Sequence, residues 1–160
     1  LTLLDPWAVR FDSGYQIVQA LIAVGSGDWL GNGLGNSVQK FSYLPESYTD
    51  FIFSVLVEEM GTLGGIALIS MYLLVALKIL SIAKAAHDRQ KYFASYVASG
   101  ICIAFIMQVF LNIGVAIGLL PTTGMPLPFI SYGGTNLLVN CISMAIIIRI
   151  NFENHFVDTC

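Results

Sequence analysis

The sequence predicts an all-α polytopic membrane protein, three transmembrane helices preceded by a large polar loop. Three observations predict it. The chain is 56% hydrophobic and only 11% charged, against about 25% charged residues in soluble domains. The charge is missing where a bilayer core would lie: Tyr92 to Ile148 holds no Asp, Glu, Lys, Arg or His, and neither does Met60 to Leu77. Runs of this kind match the roughly 20 apolar residues that cross a bilayer as a helix. Finally, the charge signs are segregated. Lys78, Lys84, Arg89 and Lys91 cluster between two apolar runs and Arg149 closes the last one, which makes those places cytoplasmic under the positive-inside rule. Asp5, Asp12, Asp28, Glu46 and Asp50 dominate the other side.

Residues 1–49 read as an extracytoplasmic loop, punctuated by Gly14, Gly25, Gly27, Gly31, Gly33 and Gly35. Within it Tyr15 to Val24 is apolar but too short to span, which suits an interfacial or re-entrant segment. The Gly25–Gly35 tract lacks the Gly-Lys-Ser/Thr of a P-loop and the spacing of a dinucleotide fingerprint. Its glycines supply backbone freedom and close approach, either as a mobile outer loop or against a ligand or another chain. The chain reads as a fragment of something longer and is not expected to fold alone.

The first transmembrane helix is expected over 50–77, about 42 Å at 1.5 Å per residue, against a hydrocarbon core of roughly 30 Å. Its first turns therefore stand above the core, with Glu58 and Glu59 near the interface rather than at mid-membrane, where a charge costs about 2.5–3.5 kcal/mol or more. At 100° per residue Asp50, Ser54, Glu58, Gly61 and Gly65 share one stripe and Glu59 points away from it. Such a stripe should face other helices or a water-filled cavity.

A cytoplasmic loop is expected over 78–91, with His87 solvated. The second transmembrane helix is expected over 92–118, with Ser95 and Ser99 on one face and Gln108 and Asn112 on another. Intramembrane amides act as interhelical hydrogen-bond partners or as substrate contacts. Residues 119–134 carry three prolines and several glycines without a charge. Such a segment cannot continue a helix, and at membrane depth it must be buried in protein or line a cavity. It reads as a structured re-entrant loop on the side of Asp50. The last transmembrane helix is expected over 135–149, and a cytoplasmic tail over 150–160. Cys102, Cys141 and Cys160 form no disulfide framework; they read as small buried hydrophobes.

These residues exclude several function classes. No metal-ligand cluster appears, and no Ser/His/Asp or Cys/His arrangement. The acidic balance argues against a nucleic-acid partner. From the residues alone Asp50, an acid at the water–membrane boundary beside Pro45 and Glu46, is either a helix N-cap or a catalytic group.

The motifs carry a resemblance. Asp5-Pro6-Trp7-Ala8, the run Gly33-Leu34-Gly35-Asn36-Ser37-Val38-Gln39-Lys40, Tyr43-Leu44-Pro45-Glu46 through Thr49-Asp50-Phe51, and the loop ending Phe129-Ile130-Ser131-Tyr132-Gly133-Gly134 resemble the SEDS family of bacterial membrane proteins. The Gly33–Lys40 run resembles its cell-division (FtsW) branch rather than the elongation branch, RodA. Essentially the whole chain is covered. Three positions depart from the family pattern: Ser42 where Glu is expected, Tyr48 where His is common, and Asn136 where Ser or Ala is typical.

The resemblance implies a fold of about ten transmembrane helices, of which this chain holds the C-terminal three. It implies an inverting peptidoglycan glycosyltransferase of the bacterial inner membrane, active at the division septum. Such an enzyme polymerises lipid II beside a class B penicillin-binding transpeptidase and other divisome membrane proteins. Displacement of a diphosphate by a sugar hydroxyl needs one carboxylate as general base, unlike the carboxylate pair of glycosidases. Asp50 is the expected base, with Glu46 in support. Lys40, Ser54, Gln108, Asn112 and Ser131 are expected to bind substrate, and a divalent cation is an alternative partner for the diphosphate. Two rival functions remain: a lipid II flippase, suited by Gln108, Asn112 and the broken helix at Pro121, and a non-catalytic divisome docking module.

Overall fold

The structure is a computed structural model that describes residues 15–33, 52–121 and 123–156. Among these residues it is all-helical: α1 Tyr15–Ser26, α2 Ile52–Asp88, α3 Tyr92–Ala116 and α4 Gly134–Phe156. The last three are long and apolar enough to cross a membrane, so the protein is a polytopic membrane protein. The short α1, about 18 Å at 12 residues, cannot cross one.

The α2–α3 pair forms the largest contact, with α1 laid mainly on α2 and α4 packing on both long helices. Toward the Arg89 end, Ala76, Ile79, Ala83 and Ala86 of α2 meet Ala98 and Cys102 of α3 and Ile147 and Ile150 of α4. Toward the other end, Phe53, Val57, Leu68 and Tyr72 of α2 meet Phe105 and Ala116 of α3 and Leu127 of the loop that follows. Alanines at the first cluster bring the backbones close, as small residues do in membrane helix pairs.

The helices outrun the spans read from charge. α2 continues to Asp88, well past Leu77, so most of the expected 78–91 loop is helix. The reason is a buried 79/83/86 face that extends the helical period beneath exposed Lys78 and Lys84. His87 belongs to this last helical turn, its ring set edge-on to Tyr92 at 5.4 Å between centroids. The turn itself is Arg89–Lys91. There Lys91 N–H donates to Ala86 O at 3.0 Å and Gln90 N–H to His87 O at 2.9 Å, with Gln90 left-handed at φ 60. This is a Schellman closure with a non-glycine at its left-handed position.

α3 ends with the same closure, now with a glycine. Gly118 at φ 73 donates to Val115 O at 3.0 Å and Leu119 to Gly114 O at 2.8 Å. α4 runs to Phe156 rather than stopping at Arg149, so its 23 residues, about 35 Å, suffice for a span without help from the loop. Residues 150–156, expected as tail, are helical because Ile150 is buried and Asn154 sits against α2. Arg89 and Lys91 cap this end, donating to the carbonyls of Asn154 and Glu153. Cations there complement the helix C-terminus. Cys102 is buried as expected, but Cys141 is exposed, because it lies on the outer face of α4. Cys160 lies outside the described residues.

The feature that sets the direction of α2 is a break at Gly61, whose φ of 74 and ψ of −179 are not helical. The break frees the carbonyls of Glu58 and Glu59 and the N–H groups of Thr62 and Leu63. Residues 27–33 supply what the helix has lost. Asn32 N–H donates to Glu58 O at 3.0 Å and Gly33 N–H to Glu59 O at 3.1 Å, while Thr62 N–H donates to Asp28 O at 2.9 Å and Leu63 N–H to Trp29 O at 3.5 Å. Thr62 Oγ1 adds a bond to Asp28 O at 2.7 Å. Part of the glycine-rich tract is therefore pinned by backbone pairing, and close approach rather than looseness explains its glycines. A Cβ at Gly27 or Gly31 would overlap the backbone of α2 at Val57 or Glu59.

Candidate functional site

Of the expected stripe, Ser54, Glu58, Gly61 and Gly65 are all buried, Ser54 at 0% and Glu58 at 2% exposure. Glu59 is half-buried. Burial of an acid and a hydroxyl on one face of α2 puts that face against protein, since lipid offers them nothing. Asp50, Glu46 and Lys40, the expected base, its support and the expected diphosphate contact, lie outside the described residues, as do Ser42 and Tyr48. Asp50 precedes the start of α2 at Ile52 in the chain.

The second part of the site is the loop between α3 and α4. It carries no regular structure, yet its centre is buried: Leu127 and Pro128 are enclosed. Backbone groups in such a place need partners, and side chains from α2 and α3 supply them. Tyr72 Oη of α2 donates to Pro128 O at 2.6 Å. Gln108 Nε2 of α3 donates to Pro126 O at 2.7 Å and also to Asn136 Oδ1 of α4 at 2.7 Å. Asn112 Nδ2, one turn further along α3, donates to Met125 O at 2.8 Å. Ser131 closes the loop on itself, since its Oγ accepts from Leu127 N–H at 2.7 Å and its own N–H donates to Leu127 O at 3.2 Å. Phe129, at φ 63, is held left-handed within this closure.

The amides of Gln108 and Asn112, spaced four apart, thus reach successive loop carbonyls from one face of α3. The loop is structured, with its centre buried and its carbonyls bonded by helix side chains. Three residues of this network carried no function in the sequence reading. Tyr72 has a hydroxyl in the middle of an uncharged run, and such a group seeks a partner when buried; that was the available signal. Asn136, noted only as a departure from the family pattern, accepts from both Gln108 and Asn140, the latter at 2.9 Å. Asn140 also bonds its own helix at Asn136 O.

Two grooves flank the loop's supports. One, of about 300 Å³ between α2 and α3, is lined by Ile69, Tyr72, Phe105, Val109, Phe110 and Ile113. It offers hydrocarbon contact and no group able to move a proton. The other, about 230 Å³ between α3 and α4, brings Gln108, Asn140 and Ser143 beside Gly100 and Ala104. Among the described residues no group of three or more His, Cys, Asp or Glu could hold a metal ion.

The comparisons fit this architecture. A probable peptidoglycan glycosyltransferase FtsW of Saccharophagus degradans is 50% identical over 153 residues, covering 96% of this chain and 40% of its own. Its namesake in Pseudomonas fluorescens is 49% identical over 154 residues, covering 96% and 38%. In Coxiella burnetii the figures are 49% over 152 residues, 95% and 41%. The chain therefore spans about 40% of the length of these relatives. A solved chain from work titled "Structural coordination of polymerization and crosslinking by a peptidoglycan synthase complex" superposes with a TM-score of 0.72 at 26% identity, over 97% of this chain and 41% of that one. The family of cell cycle proteins FtsW, RodA and SpoVE matches residues 1–155, and the chain belongs to it.

Proposed function

We propose that this chain is part of a septal peptidoglycan glycosyltransferase. It polymerises lipid II in the bacterial inner membrane beside a class B penicillin-binding transpeptidase. The observation that carries the reading is identity of 49–50% over some 96% of the chain to proteins named probable peptidoglycan glycosyltransferase FtsW. The solved neighbour's title, which pairs polymerisation with crosslinking, supports a transpeptidase partner.

In this mechanism Asp50 is the general base. It takes the proton from the acceptor sugar hydroxyl as that oxygen attacks the anomeric carbon, and the diphosphate leaves with the bonding electrons. A positioned base contributes about 10²–10⁴-fold to such a step. Glu46 tunes Asp50 electrostatically, and Lys40 pairs with the diphosphate, whose charge requires cationic or N–H partners. Ser54, expected to bind substrate, is fully buried on α2 and so supports the helix from within rather than meeting substrate. Gln108, Asn112 and Ser131 act by holding the 119–133 loop in shape, so that substrate meets a fixed wall.

The flippase reading draws on the α3–α4 groove, where Gln108, Asn140 and Ser143 offer polar contacts at membrane depth. One assay separates the readings: the intact protein with lipid II, wild type against Asp50→Ala. Loss of polymer with retained partner binding supports the enzyme. Transport without polymer by the wild type favours a flippase, and partner binding with neither activity favours a docking module.

A further inference from the structure

We propose that the Gly31–Gly61 junction is a two-state switch that sets the direction of the part of α2 that precedes Gly61. The four backbone bonds at the junction obey a local two-fold relation. Asn32 to Glu58 mirrors Thr62 to Asp28, and Gly33 to Glu59 mirrors Leu63 to Trp29. Within a continuous α-helix, Thr62 and Leu63 would donate to Glu58 and Glu59, and an extended α1 would pair Asn32 and Gly33 with Asp28 and Trp29. The observed arrangement is these two helical patterns with their partners exchanged.

Both registers use the same donors and the same acceptors. In both, the four donors and four acceptors of the junction are paired, so backbone hydrogen bonding does not by itself separate them. Gly31 N–H donates to Gly27 O at 2.8 Å in the exchanged form, across a turn that holds Asp28 left-handed at φ 43. Thr62 Oγ1, now on Asp28 O at 2.7 Å, has Glu58 O as its i−4 acceptor in the straight form. The residues that must change sign of φ are Gly61 at 74 in α2 and, beyond α1, Asp28 at 43, Gly31 at 77 and Gly33 at 95. Glycine is the residue that occupies left-handed and helical conformations about equally.

A discrete two-register element is what lets a small bias at one place become a large displacement at another. Here the bias acts on residues 27–33, and the displaced part is α2 above Gly61. That this movement carries Asp50, and so gates polymerisation, rests on the functional reading above; the switch itself does not.

The test is a spin-label distance between Leu56 and Leu80 in the intact membrane protein, with the native cysteines replaced. A straight α2 places these positions about 36 Å apart, and the broken one places them closer. Gly31→Ala lies outside α2, yet it removes the exchanged register and should shift the distribution to the straight value. Gly61→Ala should do the same. A folded Gly31→Ala protein whose distance equals that of the wild type would overturn the switch. Asp50→Ala should keep the wild-type distribution, so failure of the base assignment and failure of the switch read out separately.

Discussion

Gly31 and Gly61 face each other across the α1–α2 contact so closely that a Cβ on either would lie 2.5 Å from the other's amide nitrogen. Both are left-handed, where an L side chain costs about 1–2 kcal/mol before any overlap. Gly31→Ala and Gly61→Ala should therefore each lower the unfolding stability of the intact protein by about 1–2 kcal/mol. The double variant should cost little more than either single one, because one change of register relieves both strains. A double-mutant cycle on thermal or denaturant unfolding checks this; full additivity would mean that the two glycines act independently.

Tyr72 anchors the loop through the one bond its hydroxyl makes to Pro128 O. Tyr72→Phe keeps the ring, including its tilted contact with Phe105 at 5.7 Å, and removes only that donor. A buried carbonyl left unsatisfied costs about 1–3 kcal/mol. The expected result is a loss in that range together with faster proteolysis of the 119–133 segment.

Gln108 and Asn136 share a bond at 2.7 Å between α3 and α4. Gln108→Leu and Asn136→Leu, singly and together, should give a coupling energy of about 0.6 kcal/mol, the average for intramembrane side-chain bonds, and at most about 1.7 kcal/mol. A coupling near zero would mean that the amides bind elsewhere in the folded protein.

Gln90 offers a change in the other direction. It holds the left-handed position of the α2–α3 turn at φ 60, where the matching position after α3 is Gly118 at φ 73. Gln90→Gly removes the steric penalty and should raise stability by about 1 kcal/mol, visible as a higher melting temperature.

Much of this architecture was legible in the sequence because hydrocarbon is an unforgiving solvent. Uncharged runs gave three spans, and the uncharged Pro/Gly segment gave a buried loop. The limits of the helices were less legible. Charge marks where a chain leaves the membrane, not where its helix ends, and Ile79, Ala83 and Ala86 carry α2 onward beneath Lys78 and Lys84. Gln108 and Asn112 were visible as intramembrane amides, but their partners were not, since Pro126 O and Met125 O are backbone atoms that any sequence could offer. The Gly31–Gly61 crossing was hidden for a related reason. Glycine spacing shows where a backbone can bend or approach, while the choice of partner depends on the tertiary path.

The central claim is that Asp50 is the base for glycan polymerisation, and its most direct measurement is the single-turnover rate on lipid II of Asp50→Asn beside the wild type. Asparagine keeps the size of the side chain, but it cannot accept the proton. A fall of about 10²–10⁴-fold is predicted, with an unchanged melting temperature. A rate within a few-fold of wild type in a folded protein would contradict the account.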